Sequence, residues 1–193
     1  MRHLRISVAD DEVVVRDYFQ KMLPRIGHEV VSVAENGREL VEHCRMHAPD
    51  LVITDIDMPE MDGIDAAIHI YAERTVPVIL VTAHHDHEFI ERAEADHIMA
   101  YLIKPVSKVD LESAIWIAYR RFEQFQAVRQ EASDLRKALA DRKIIEKAKG
   151  VIMKTANLDE PSAFQRLQHL ARDKNKKMVD IAQSVLLADD VTR

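Results

Sequence analysis

The sequence is short of cysteine and of long apolar runs, and both shortages limit the class of protein. Cys44 is the only cysteine among 193 residues, which excludes a disulfide within the chain. No apolar run approaches the roughly 20 residues that cross a bilayer. The N-terminus passes directly into strand-like residues, without the apolar core of a signal peptide. We therefore expect a cytoplasmic protein with no part in the membrane.

Charge is plentiful but unevenly distributed along the chain. Charged residues make up 31% and hydrophobic residues 47% of the sequence, which is typical of a globular protein with little extended disorder. Residues 1–120 carry 12 Lys and Arg against 22 Asp and Glu, a balance of -10. Residues 121–193 carry 15 against 11, a balance of +4. The asymmetry predicts two domains with different partners.

The first 120 residues alternate between strand-like and helix-like patterns. The apolar side of the first helix is expected to include Val14 and that of the third Ile68, and a short fourth helix is expected around Phe89. Such alternation predicts an α/β fold with a five-stranded parallel sheet and helices on both faces. The strand-like runs lie near residues 4–8, 30–33, 51–55, 76–81 and 98–103.

Polar side chains stand where these predicted strands end. Asp10 and Asp11 follow the first strand, Asp55 ends the third, Thr82 the fourth and Lys104 the fifth. Because parallel strands end at the same edge of a sheet, we expect these side chains to share one crevice. Three crowded carboxylates repel one another unless a cation neutralises them, and oxygen ligands of this kind suit Mg²⁺. The arrangement indicates phosphoryl transfer onto Asp55 as nucleophile.

These residues also allow other interpretations. A single acidic residue at a strand end usually caps the following helix. The Asp55-Ile56-Asp57 segment is also a D-x-D, as in haloacid-dehalogenase-type phosphatases, but those carry it on the first strand. His84, His85 and His87 have no cysteine nearby, so a solvated loop is expected there and not a metal site.

A different pattern begins at Lys108. No glycine or proline occurs between Val106 and Lys149. The periodicity predicts one long helix with a coiled-coil-like seam and a single stammer, the alternative being two consecutive helices. The apolar positions are Leu111, Ile115, Ala118, Phe122, Phe125, Val128, Ala132, Leu135 and Leu139.

The remainder of the chain contains three helical patterns and is basic. Residues 136–177 carry 12 Lys and Arg against 5 Asp and Glu, a balance of +7. A small three-helix module with this charge can neutralise phosphates, although helical Lys and Arg often only solvate a surface.

Four motifs in residues 1–120 resemble those of response-regulator receiver domains. The resemblance implies a doubly wound, flavodoxin-like fold and a sensor histidine kinase that phosphorylates Asp55. The motifs are Asp10-Asp11-Glu12, Asp55-Ile56-Asp57-Met58-Pro59-Glu60-Met61-Asp62-Gly63, Thr82-Ala83 and Tyr101-Leu102-Ile103-Lys104-Pro105.

The resemblance also assigns roles around the acceptor. It implies that Asp10, Asp11 and Asp55 hold Mg²⁺ together with the backbone carbonyl of Asp57. It further implies that Thr82 and Tyr101 form a switch pair, that Lys104 contacts the phosphoryl group, and that the Lys104-Pro105 bond is cis.

The basic module resembles the ANTAR domain, an RNA-binding antitermination module. The resemblance covers about residues 130–188, and it implies binding to RNA hairpins of leader transcripts. We expect Ala148 and Phe164 to serve packing. The motifs are Arg142-Lys143-Ile144-Ile145-Glu146-Lys147-Ala148-Lys149-Gly150-Val151-Ile152-Met153, Ala163-Phe164 with Leu167, and Val179-Asp180-Ile181-Ala182. The expected phosphate contacts are Arg142, Lys143, Lys147, Lys149 and Lys154.

Together these patterns predict a phosphorylation-controlled response regulator that binds RNA hairpins to antiterminate transcription. It is expected to be a phosphoacceptor capable of autodephosphorylation and not an enzyme. The predicted parts are a receiver domain at 1–120, a helical connector at 108–140 through which two copies dimerise, and an ANTAR domain at 130–188. A DNA-binding or protein-interaction output is the alternative.

Overall fold

The computed structural model describes residues 2–83 and 98–191. These residues form two units, Met1–Gln126 and Ala127–Arg193. The fourth helix expected around Phe89 and the loop expected at His84, His85 and His87 lie outside the described residues.

The first unit is built on the predicted parallel sheet, with the strand order β2-β1-β3-β4-β5. β3 and β4 are buried along their whole length, because helices cover both faces of the sheet. This confirms the predicted α/β class and doubly wound architecture. The strands are β1 Arg5–Ala9, β2 Glu29–Ala34, β3 Leu51–Asp55, β4 Val78–Thr82 and β5 Ile98–Ile103.

Six helices occur in the described part of the chain. Side-chain caps fix three of their N-termini: Asn36, Asp62 and Asp159 each accept a hydrogen bond from a backbone N–H three residues later. The helices are α1 Val13–Arg25, α2 Gly37–His47, α3 Gly63–Glu73, α4 Lys108–Ala156, α5 Glu160–Asp173 and α6 Met178–Val191.

Apolar residues form one cluster on each face of the sheet. On one face, α2 and α3 contribute residues such as Leu40 and Ile64. On the other face, Phe19 of α1 and Leu111 and Ile115 of α4 pack against the strands. The two clusters hold the strands in register, so the strand ends that carry the polar residues stay fixed.

The expected apolar faces of α1 and α3 are wrong at one position each. Val14 is 79% exposed, because α1 buries Arg16, Phe19 and Leu23, and Val14 lies on the opposite side of that stripe. Ile68 is 46% exposed, since it falls just beyond the arc of α3 that faces the sheet.

The long helix predicted from Lys108 is confirmed as the single 49-residue helix α4. In the second unit its C-terminal part packs with α5 and α6 around a small core. The buried members of that core are Ala148, Ile152, Ala163, Leu167, Ile181 and Ala182. Among the described residues, no helix is both long and apolar enough to cross a membrane.

Candidate functional site

Three carboxylates meet one lysine at the C-terminal edge of the sheet. Lys104 Nζ lies 2.8 Å from Asp55 Oδ2, 2.9 Å from Asp10 Oδ2 and 3.0 Å from Glu12 Oε1. Asp10 is completely buried and Asp55 is 6% exposed, whereas Glu12 is exposed. The strand ends thus bring together Asp10, Asp55 and Lys104, as the sequence predicts.

Backbone groups orient the two buried carboxylates. Asp10 Oδ1 accepts a hydrogen bond from the Glu12 N–H at 3.0 Å, and Asp55 Oδ1 accepts one from the Ile56 N–H at 2.7 Å. The second oxygen of each group is therefore turned toward Lys104. β1 and β3 are adjacent strands in register, which places their C-terminal carboxylates side by side.

Burial and the single lysine act in opposite directions on these groups. Burial raises the pKa of Asp10 and of Asp55, and the nearby Lys104 ammonium offsets only part of that increase. Burial alone would lower the pKa of Lys104, but its carboxylate partners outweigh burial and raise it. The site therefore has more negative charge than one ammonium can balance.

The carboxylates fit a divalent cation. One carboxylate oxygen from each of Asp10, Asp11, Glu12 and Asp55 lies within 4.8 Å of the others. Asp10 Oδ2 is buried and receives no well-directed hydrogen bond, even though Lys104 is close. An all-oxygen set of this charge suits Mg²⁺. The Asp57 side chain is exposed and does not belong to this group.

Two further predicted residues lie on the neighbouring strands. Thr82 is buried at the end of β4, and its carbonyl accepts a hydrogen bond from the Lys104 N–H at 2.8 Å. Tyr101 lies on β5 and is 39% exposed, and burial of its hydroxyl raises its pKa. The Lys104-Pro105 bond is cis, as the receiver-domain resemblance implies.

In the second unit, one predicted RNA contact is engaged within the protein. Lys149 is 7% exposed, and its ammonium lies 2.8 Å from Glu146 and 2.7 Å from Glu160. These two carboxylates raise the pKa of Lys149. The centroid of the Phe164 ring lies 5.8 Å from Lys149 Nζ. The structure thus differs from the expectation at Lys149, because its charge is neutralised between α4 and α5 and is not presented to solvent.

The other expected cations of α4 are exposed. Within the described chain, no salt bridge joins any of them to another residue. They are Arg142, Lys143, Lys147 and Lys154.

Family models match both units. Residues 6–116 match the response regulator receiver domain, and residues 133–186 match the ANTAR domain. The chain is 40% identical over 182 residues to the transcriptional regulatory protein PdtaR of Mycobacterium tuberculosis, covering 94% of this chain and 89% of that protein. The chain belongs to the response regulators. It has an N-terminal receiver domain and a C-terminal ANTAR output domain.

Solved structures of receiver domains have the same fold as the receiver domain of this response regulator. A receiver domain protein from Clostridium thermocellum is 31% identical, with a TM-score of 0.57, and covers 62% of this chain and 97% of that one. The receiver domain of the putative response regulator NarL from Mycobacterium tuberculosis has a TM-score of 0.58 at 24% identity, covering 62% and 98%, and shows the fold alone.

Arg16 is a residue of the receiver domain whose role the sequence motifs do not predict. Its guanidinium is buried on α1 and donates to the carbonyls of Asp10 at 2.8 Å and Asp11 at 2.9 Å, while also pairing with Glu35 at 2.7 Å. Arg16 thereby fixes the loop that presents the acidic residues. Arg16 lies one turn into a helix face that is otherwise apolar, and a charged residue at such a position indicates a buried partner.

Gly63 is a second such residue. A Cβ on Gly63 would lie 1.8 Å from the carbonyl oxygen of Asp55, so only glycine allows α3 to begin this close to β3. The Gly63 N–H donates to the Ile56 carbonyl at 2.9 Å. Close packing thus holds the segment after Asp55 against the strand.

Proposed function

We propose that Asp55 of the receiver domain is the acceptor of a phosphoryl group from a sensor histidine kinase. The observation that supports this most is the buried carboxylate at the end of β3, 2.8 Å from Lys104 and inside a cluster of four acids. The Ile56 N–H orients this carboxylate, which lies at the C-terminal strand ends where ligands of parallel sheets bind.

The proposed step is a phosphoryl transfer between two nucleophiles. An Asp55 oxygen attacks phosphorus, an O–P bond forms, and the N–P bond to the kinase histidine breaks with its electron pair left on the imidazole. Lys104 balances charge on the transferred oxygens. Mg²⁺, held by Asp10, Asp11 and Asp55 with the backbone carbonyl of Asp57, supplies further positive charge when bound. Water later removes the phosphoryl group by autodephosphorylation.

Phosphorylation then alters the face around β4 and β5. The Thr82 hydroxyl turns toward the phosphoryl oxygens, and Tyr101 moves with it as the second member of the switch pair. The location of Thr82 beside the Lys104 backbone supports this role. The altered face favours dimerisation of two copies through the connector.

The output of the ANTAR domain is binding of RNA hairpins in leader transcripts, which antiterminates transcription. The exposed cations of α4 and the match to the ANTAR family support this function. We place the receiver domain at 1–120, the connector at 108–140 and the ANTAR domain at 130–188. The matched ranges and the two units support these boundaries.

A phosphodonor assay tests the acceptor. Incubation with a small phosphodonor and Mg²⁺ should add one phosphoryl group to the chain, detected by mass spectrometry. Asp55→Asn should abolish the addition, and Asp57→Asn, two residues away and exposed, should retain it. Labelling that survives Asp55→Asn would exclude this acceptor.

Filter binding distinguishes the output classes. Hairpin RNA should bind more tightly than duplex DNA of equal length, with an affinity that falls as salt rises. A preference for the duplex would favour a DNA-binding output. Absence of binding to either nucleic acid would favour a protein-interaction output.

A further inference from the structure

Gly150 in α4 is a glycine that the folded chain does not require. Gly150 lies inside the helix, where glycine is a poor helix former compared with alanine. A Cβ on Gly150 would meet no atom within 4 Å, whereas a Cβ on Gly37 or Gly63 would clash with a backbone carbonyl at 2.5 or 1.8 Å. The glycine therefore weakens the helix without any packing gain inside the protein.

Gly150 lies in a row of cations along one side of α4. Arg136, Lys143, Lys147 and Lys154 are separated by seven, four and seven residues, so at 100° per residue they fall within an arc of about 40°. Gly150 lies about 40° from the centre of that arc, between Lys147 and Lys154. Of the acidic residues in this segment, Asp141 lies about 140° from the centre of the arc. Glu146 lies about 80° from the centre and about 40° from Gly150, and its carboxylate is paired with Lys149 at 2.8 Å.

This side of α4 points away from the core of the ANTAR domain. Ala148 and Ile152, which pack against α5 and α6, lie at least about 120° around the helix from the centre of the arc. The four cations are exposed, and in the described chain none of them has a salt bridge. Lys149, by contrast, is buried and paired with Glu146 and Glu160.

We propose that Gly150 and these four cations form a face on which the sugar-phosphate backbone of an RNA hairpin lies against α4. We call it the Gly150 face. The cations supply the charge, and the missing side chain at Gly150 lets the RNA backbone approach the helix closely. Arg136 to Lys154 spans about 27 Å of helix, so the face continues beyond the three-helix core. This inference rests on the proposed RNA binding.

Gly150→Ala separates this role from a structural one. The variant should raise the melting temperature by about 2–4 °C, because alanine favours the helix. It should also weaken RNA binding by about tenfold, because the methyl group holds the backbone away from the cations. Thr155→Ala, on another side of the same helix end, is the control: it should stabilise α4 and leave RNA affinity unchanged.

The probe is an RNA hairpin selected against the full chain from a pool with random loops on a stem of about 10 base pairs. Affinity is measured at several salt concentrations for the wild type and each variant. Arg136→Gln should lower the magnitude of the salt slope by about 0.7–1, and the matched Lys137→Gln, which lies on another side of the helix, should not.

The outcomes distinguish this inference from the proposed function. If the wild type binds RNA but Gly150→Ala and Arg136→Gln bind equally well, the Gly150 face is excluded while RNA binding stands. If selection yields no RNA and an acidic protein binds in its place, both are overturned. Reduced affinity in the two variants together with unchanged affinity in the two controls supports the face.

Discussion

Lys104 is the residue on which the charge balance of the receiver site depends. It is the common partner of Asp10, Glu12 and Asp55, and the pKa of the two buried carboxylates stays raised despite it. A carboxylate whose pKa is higher in the folded chain destabilises the fold as pH rises above its ordinary value of 3.8. Without a cation, stability should therefore fall as pH rises from that value through the folded pKa.

The first prediction concerns Mg²⁺ and pH. Mg²⁺ should raise the melting temperature more at pH 7 than near pH 4, because a cation binds the ionised carboxylates and protonation competes with it. Asp10→Asn should stabilise the Mg²⁺-free chain by about 1 kcal/mol, because a buried charge is removed, and should abolish the gain from Mg²⁺. Thermal melts with and without Mg²⁺ measure both effects. If Mg²⁺ raised the melting temperature of Asp10→Asn as much as that of the wild type, Asp10 would not be a ligand.

The second prediction concerns Arg16. Arg16→Met should destabilise the chain by about 2–3 kcal/mol, because the buried carbonyl of Asp10 and the partly buried carbonyl of Asp11 lose their donor. It should also weaken Mg²⁺ binding, measured by calorimetry. Arg38→Met is the control, since Arg38 is exposed and pairs with Glu60 at 3.5 Å, so its loss should change stability by less than about 0.5 kcal/mol. Equal losses of stability in Arg16→Met and Arg38→Met would show that Arg16 does not fix the acidic loop.

At the residue scale, the sequence predicts groups that chain topology brings together. Asp10, Asp55 and Lys104 follow strands whose C-terminal ends meet, so their proximity is predictable from the strand pattern. The pairing of Lys149 with Glu160 is not predictable from the sequence, because it depends on how α5 packs against α4. Nothing in the spacing of these two residues indicates that contact.

At the scale of elements, the apolar pattern locates helices and strands better than it fixes their rotation. Val13, Val14 and Val15 are consecutive, so a helix can bury only part of the run, and the sequence does not say which part. The structure leaves Val13 and Val14 exposed and places Val15 against the core. The long helix was predictable because glycine and proline are missing from 107–148.

The third prediction concerns the connector within α4. Val128, Leu135 and Leu139 are 65%, 57% and 56% exposed and follow the predicted coiled-coil seam. With phosphodonor and Mg²⁺, the chain should dimerise in sedimentation velocity experiments, and Leu135→Asp should prevent it by placing a charge in the seam. Ser133→Asp, on another side of the helix, should still dimerise. A wild-type chain that stays monomeric both with and without phosphodonor would refute the proposed dimer.

At the scale of the whole molecule, the two domains carry opposite charge. The balance of -10 in residues 1–120 suits a site that binds a cation and accepts a phosphoryl group, and that of +4 in residues 121–193 suits a polyanionic partner. The receiver domain and the ANTAR domain are therefore proposed to have separate ligands linked by phosphorylation. Dimerisation would present two ANTAR domains together and raise affinity for paired hairpins.

Phosphorylation of Asp55 is proposed to control RNA binding by the ANTAR domain. The most direct measurement is the affinity of the full chain for the selected RNA hairpin, presented as two linked copies, before and after treatment with phosphodonor and Mg²⁺. Treatment should tighten binding by about tenfold or more in the wild type and in Asp57→Asn, and leave Asp55→Asn unchanged. Unchanged affinity in the wild type, or an equal increase in affinity in Asp55→Asn, would show that phosphorylation of Asp55 does not control RNA binding.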